Sequence, residues 1–355
     1  MGKGLYARYR DLLGRDDGID IGQGFTPVVA SRSIGPKAGI ADLRFKLEHL
    51  NPTGSYKDRF AGLAVGRAVA EGADRCIATS SGNTGAALAA FCARAGLGCI
   101  LFVSERAPAG KLQQMQAYGA TLYRVRGMSV DAAESARAMD SLEARVAAMG
   151  LSLHTTAYAK APRDMEGIKT IAYELAEDVP EATDIFVPVG GAGLHVAISR
   201  GYADLSGTAP PAMHVVQPMG NDTVATPLRS GANRARSVET ITTISGLGVG
   251  HVLDGDVAMD HARRTGGTGF VADEDFIRHV QGRLATEEGL FVEPAGATAV
   301  AGALIAAEEG GLRSGTAICI LTGHGFKDPP SVSVMADRHP AAEIGADDIL
   351  HVLGG

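Results

Sequence analysis

Short apolar runs alternate with longer stretches of helical spacing along most of this chain. Leu43 to Leu47 reads as a strand end, and Cys76 to Thr79 as a short β-prone run. Cys99 to Val103, Thr121 to Val125 and Leu151 to His154 read as further strands. Between them, Phe60 to Ala70, Ala86 to Ala95 and Ala109 to Tyr118 carry the helical pattern. Gly96 and Gly119 stand where a left-handed residue would close the last two. Asp131 with Glu134 resembles a capping box and predicts a helix reaching about Met149. The second half keeps the rhythm less regularly, with strands predicted at Asp184 to Val189, Met213 to Val216 and Thr316 to Leu321. Residues 218–270, rich in Gly, Thr and Arg, are the hardest to assign. A strand–helix alternation of this kind predicts an α/β fold of parallel or mostly parallel sheets with helices on both faces.

Composition narrows this picture without changing it. The 355 residues can bury one large or two medium cores. Net charge is −7 and no basic block occurs, so neither nucleic acid nor an anionic membrane is expected as a partner. No apolar run is both long enough and uncharged enough to span a bilayer. The N-terminal residues lack the apolar core of a signal peptide, and a cytoplasmic location is the default expectation. Cys76, Cys92, Cys99 and Cys319 lie in apolar runs without a CxxC pair, which suits buried free thiols. The histidines show no HExxH or HxxxH spacing, and no metal is expected.

The candidate chemistry begins at Lys57. Pro52 and Gly54 force a turn that places this lysine near a helix start. A lone lysine is ordinarily a solvated charge. Three strand-to-helix loops bear on it, because ligands of open α/β sheets collect at the carboxyl ends of strands. They are Ser80-Ser81-Gly82-Asn83-Thr84, Gly190-Gly191-Ala192-Gly193, and Thr322-Gly323-His324-Gly325. Small residues there expose backbone N–H groups, and the following helix adds its positive end, so Gly190 to Gly193 suits a phosphate. Each loop alone also fits a plain turn or helix cap.

Taken in order, NPTGSYKDR, SSGNTG, GGAG and TGHG resemble the pyridoxal phosphate enzymes of the tryptophan-synthase-β fold group (fold type II), most closely threonine synthase. Gly22 to Pro27, Glu166 to Thr170 and Glu293 to Ala297 support the resemblance, which runs from about residue 22 to 328. It implies pyridoxal 5'-phosphate in the cleft between two domains, held by Lys57 as a Schiff base. Asn83 would bond the ring hydroxyl, Gly190, Gly191, Ala192 and Gly193 the phosphate, and Thr322 would face the pyridine nitrogen. Ser80, Ser81 and Thr84 would receive the substrate α-carboxylate. A larger domain of residues 1–61 and 159–355 would carry the cofactor, with a smaller domain, 62–158, inserted in it. A homodimer acting on a small amino acid is also implied.

Some positions depart from the threonine synthase pattern. Where those enzymes carry Arg two residues before the Glu of E-G-x-K-T, this chain has Asp164, with Arg163 one residue earlier. Arg163 is expected at the substrate phosphate if a local bulge restores it. Ala295-Gly296-Ala297 is closer to serine/threonine dehydratases, and Ser81 to cysteine synthases. Three readings stay open. One is a threonine-synthase-like lyase acting on O-phosphohomoserine. Another is a β-elimination or β-replacement enzyme on a hydroxy amino acid. The third is a cofactor-binding protein without catalysis.

Overall fold

The computed structural model describes all residues except 1–3, 16, 106, 108, 127–131, 208, 347–348, 350–351 and 353–355. In chain order its main elements are β1 (Val28–Ala30), β2 (Asp42–Lys46), α1 (Lys57–Ala70), β3 (Arg75–Ala78), α2 (Asn83–Ala95), β4 (Gly98–Ser104) and α3 (Ala109–Ala117). Then come β5 (Thr121–Val125), α4 (Ala132–Ala148), β6 (Leu153–His154), α5 (Thr170–Asp178), β7 (Ala182–Pro188), α6 (Gly193–Asp204) and β8 (Ala212–Pro218). The series closes with α7 (Gly255–Thr265), β9 (Gly269–Ala272), α8 (Glu274–Glu288), α9 (Pro294–Glu308) and β10 (Thr316–Ile320). Asp131 of the expected capping box lies outside the described residues.

The described strands form two sheets. One has the order β1-β2-β10-β7-β8-β9, the other β5-β4-β3-β6. Only β1 runs antiparallel to its neighbour; the other pairings are parallel. Every residue of β8 and β10 is buried, as expected of central parallel strands covered on both faces. In β4, an inner strand of the smaller sheet, burial alternates through Cys99, Leu101 and Val103. The Ala-rich helices α1 and α2 pack closely, and their buried faces join one core that continues into β7 and β8. A second core lies around α8, α9 and β10. All four cysteines are buried and free, and no helix among the described residues is long and apolar enough to cross a membrane.

Two differences from the sequence reading bear on function. Helices α1 and α2 start at Lys57 and Asn83, three residues before the apolar runs at Phe60 and Ala86. Their first turns carry polar residues, Lys57 and Asn83 at a cleft and Asp58 and Arg59 in buried hydrogen bonds, so hydrophobic periodicity misses them. The expected boundary at residues 61 and 62 also falls inside α1. The chain therefore passes from one sheet to the other within a continuous helix.

Candidate active site

Helix α1 is held rigidly at the residue two positions beyond Lys57. Arg59 is fully buried and donates to Glu48 at 2.8 and 2.7 Å and to Glu174 at 2.6 and 2.8 Å. These paired, charge-assisted bonds are the strongest kind available to a guanidinium. Ahead of Lys57, Gly54 takes a positive φ of 87°. The turn is stitched to the loop after β10: Tyr56 N–H donates to the Thr322 carbonyl at 3.1 Å and His324 N–H to the Gly54 carbonyl at 2.9 Å. The strand-end loop bearing Thr322 is thereby fixed beside Lys57.

Lys57 is partly buried. Its Nζ donates to Thr156 Oγ1 at 2.9 Å and lies 4.6 Å from the centroid of the Tyr56 ring. Burial pulls the amine down to about 7, against the opposing pull of Glu293. It opens on a cleft of about 540 Å³, a usual size for a cofactor or ligand site. Strand ends from both sheets meet in its wall: residues 79–84 after β3, 155–157 after β6, Pro188 and residues 190–194 around the end of β7, and Thr322 after β10. The structure thus places Lys57, Ser80, Ser81, Asn83, Thr84, Gly190, Gly191, Ala192, Gly193 and Thr322 around one cavity.

A family description, "Pyridoxal-phosphate dependent enzyme", matches residues 19–323 of this sequence. The chain belongs to the pyridoxal-phosphate-dependent enzyme family. Its relatives include the threonine synthase of Bacillus sp. (strain ULM1), 30% identical over 98% of this chain and 96% of that protein. The threonine synthase of Mycobacterium tuberculosis (strain ATCC 25618 / H37Rv) is 33% identical, over 93% of this chain and 92% of its own. Among solved structures, maize serine racemase superposes with a TM-score of 0.73 at 24% identity, covering 88% of this chain and 92% of that one. Threonine deaminase isoform 2 from Solanum lycopersicum, in its processed form, gives 0.75 at 19%, covering 94% and 88%. These two likenesses show the shared fold, that of the fold type II pyridoxal phosphate enzymes.

The cofactor of this family is pyridoxal phosphate, and the residues present fit it. In the loop between β7 and α6, Ala192 adopts a left-handed φ of 66°, a costly conformation for a residue with a Cβ. A Cβ on Gly190 would lie 2.2 Å from the Gly246 carbonyl oxygen, and one on Gly193 would lie 2.8 Å from the Thr156 carbonyl oxygen. At Gly191 a Cβ would meet nothing within 4 Å, so the backbone there stands open. A strained, glycine-dependent loop at the start of a 12-residue helix has the shape and the electrostatics for a phosphate.

Across the cleft, Ser80 Oγ accepts from Gly82 N–H at 3.3 Å and Gly85 N–H at 3.2 Å, which fixes the turn into α2. Asn83 Nδ2 donates to Glu293 Oε1 at 2.9 Å. A side-chain amide has two N–H groups, so one remains for a ring hydroxyl. Glu293 stands at the start of α9, and burial raises its carboxyl to about 7. Gly323 packs against it: a Cβ there would fall 2.0 Å from Glu293 Oε1 and would push the carboxylate aside.

Arg163 is not brought to this cleft. It is exposed and pairs with Glu71 at 3.5 Å. Asp164 points inward, 2.6 Å from Arg67 Nη2 and 3.1 Å from His154 Nδ1. Burial alone would lower the His154 imidazole, but Asp164 and Cys76 outweigh it and raise it to about 9. His154 ends β6, two residues before Thr156, so this buried cluster props the segment that meets Lys57. Sequence reasoning assigned no role to Thr156, to the lining loop Ser245–Val249 or to the Glu293 carboxylate. The motif containing Glu293 offered a signal; the other two had none that is local.

Proposed function

We propose that this chain is a lyase of the threonine-synthase kind, which eliminates a leaving group from Cγ of a small amino acid and adds water at Cβ. One observation carries the reading: a lysine with a depressed pKa faces both an anion-binding glycine loop and an N–H-rich helix start in a single cleft. The threonine synthases, similar over more than nine-tenths of this chain, support it. Bound pyridoxal phosphate supplies the electron sink that makes a Cα–H bond of the substrate acidic. Gly190 to Gly193 hold its phosphate through backbone N–H groups, and Asn83, oriented by Glu293, bonds its ring hydroxyl. Thr322 offers the pyridine nitrogen a neutral hydroxyl. The backbone N–H groups and hydroxyls of Ser80, Ser81 and Thr84 receive the α-carboxylate at the start of α2. Lys57 would take the Cα proton and deliver a proton further along the substrate.

We also propose that the two sheets mark a larger and an inserted smaller domain, divided near residues 62 and 158. On this division the carboxylate loop belongs to the smaller one. Inorganic phosphate and threonine formed from O-phospho-L-homoserine by the purified holoprotein would support the lyase reading. Keto acid from serine or threonine, with no phosphate release, would instead establish a β-eliminating enzyme. The outward position of Arg163 favours that second reading, because it leaves the cleft without an arginine for a substrate phosphate.

A further inference from the structure

A cavity of about 410 Å³ opens at the amino-terminal edge of the smaller sheet, away from the strand ends that form the Lys57 cleft. Residues 71–75, leading into β3, and 149–152, leading into β6, line it together with Arg67 of α1 and His154. Arg67 is buried, and its Nε has no hydrogen-bond partner among the described residues. The Glu71 carboxylate stands 3.7 Å from it. A guanidinium donor is thus left over at the cavity wall.

Three of the four cysteines meet beside this wall. Cys76 on β3 pairs with Cys99 on β4, and Ala78 with His154 on β6. Successive side chains of a strand alternate between faces, so Cys76, Cys99 and His154 share one face. Helix α2 packs on that face and brings Cys92 to it. The Cys76 sulfur interacts with the Cys92 thiol and the His154 ring, and Cys92 also with Cys99. His154 is held in turn by Asp164, 3.1 Å from its Nδ1, and Asp164 by Arg67 at 2.6 Å. Sulfur, imidazole, carboxylate and guanidinium form one buried chain that ends at the cavity. The Cys92 thiol and the charged His154 ring pull Cys76 well below an ordinary thiol, against burial, while its sulfur neighbours push Cys92 up. Among the described residues, no group of three or more Cys, His, Asp or Glu is arranged to hold a metal ion, so these sulfurs are read as thiols and not as ligands.

We propose that Cys76 and Cys92 form a peroxide-reactive thiol pair, in which Cys76 is oxidised first and Cys92 closes the disulfide. The Cys76 thiolate attacks one oxygen of a hydroperoxide that enters the cavity beside Arg67 and His154. An S–O bond forms, the O–O bond breaks, and the leaving hydroxide or alkoxide takes the His154 proton. The Cys92 sulfur then attacks Cys76: an S–S bond forms, the S–O bond breaks, and the Cys92 proton leaves with the oxygen as water. Two thiols and one hydroperoxide give one disulfide, one water, and a second water or an alcohol. Neither sulfur lines the Lys57 cleft, and the site does not depend on which amino acid that cleft accepts. The new bond would join β3 to α2 across the turn that carries Ser80 and Ser81.

The test treats reduced holoprotein with stoichiometric hydrogen peroxide, alkylates the denatured protein and maps its tryptic peptides. Cys76 and Cys92 fall in one such peptide, residues 76–94, with Cys99 and Cys319 in others. After oxidation this peptide should carry no alkyl group and be two hydrogens lighter than its dithiol, and dithiothreitol should restore it. Cys99 should stay alkylated. So should Cys319, the internal control, which donates to the Ala299 carbonyl at 3.6 Å and whose thiol is pushed up by burial. In Cys92→Ala, dimedone should label Cys76, as expected of a sulfenic acid without its resolving partner. In His154→Gln the oxidation rate should fall by about tenfold or more. Wild type that keeps both thiols, loss of Cys99 or Cys319 at the same rate, or an unchanged rate in folded His154→Gln overturns the proposal. The wild-type arm stands even if a variant does not fold.

Discussion

Lys57 Nζ and Thr156 Oγ1 lie 2.9 Å apart, although 99 residues separate them in the chain. The hydroxyl is an acceptor for whatever proton the amine carries. Burial draws that amine down to about 7, and an unprotonated amine is the form that attacks an aldehyde. Capture of pyridoxal phosphate by apoprotein should therefore rise about tenfold between pH 6 and pH 8 and level off above, as expected for a group titrating near 7. A solvent-exposed lysine would keep gaining toward pH 10. Thr156→Val removes an acceptor that favours the charged form, so the midpoint should move lower. Stopped-flow absorbance across pH checks both; a rate still climbing above pH 9 would count against the buried-amine account.

The glycine loop proposed to hold the phosphate separates two effects of added bulk. Gly190→Ala forces a methyl against the Gly246 carbonyl, so it should lower stability by about 1–3 kcal/mol as overpacking does and weaken the cofactor as well. Gly191→Ala has open space around it, so the melting temperature of the apoprotein should hold while cofactor affinity falls. Equal destabilisation of the two apoproteins would contradict the loop geometry.

The His154–Asp164 pair predicts a pH dependence of stability. His154 is raised from 6.5 to about 9 in the folded protein. A group raised on folding stabilises most where both states are protonated, below about 6.5, and loses that contribution as pH rises through about 9. Thermal unfolding of the wild type should weaken across that window, and His154→Gln should flatten the change. Asp164→Ala leaves Arg67 and His154 buried without their anion, a loss of about 3–5 kcal/mol for such a pair. A variant as stable as wild type would remove the cluster from any supporting role.

The same cluster shows where the sequence stops being readable. Adjacent residues on a helical turn point about 100° apart, so the one-residue offset at Arg163 and Asp164 decides which faces the interior. Nothing in the local pattern reveals that Arg67 and His154 wait there for a carboxylate. The strand–helix rhythm, the turn ahead of Lys57 and the glycine loop are local features, and all were legible. Glu293 reaches Asn83 across 210 residues, and residues 245–249 reach the cleft from an irregular segment with no periodicity. Such contacts are set by how the two sheets are wound together. The starts of α1 and α2 were placed late because their first turns are polar, whether they line the cleft as Lys57 and Asn83 do or are buried in ion pairs as Arg59 is.

The proposed anchoring of pyridoxal phosphate by Lys57 is tested most directly by borohydride reduction of the holoprotein followed by peptide mass mapping. The account predicts one pyridoxyl adduct, on the peptide containing Lys57, and no stable adduct in Lys57→Ala. An adduct on another lysine, or none in the wild type, would contradict it.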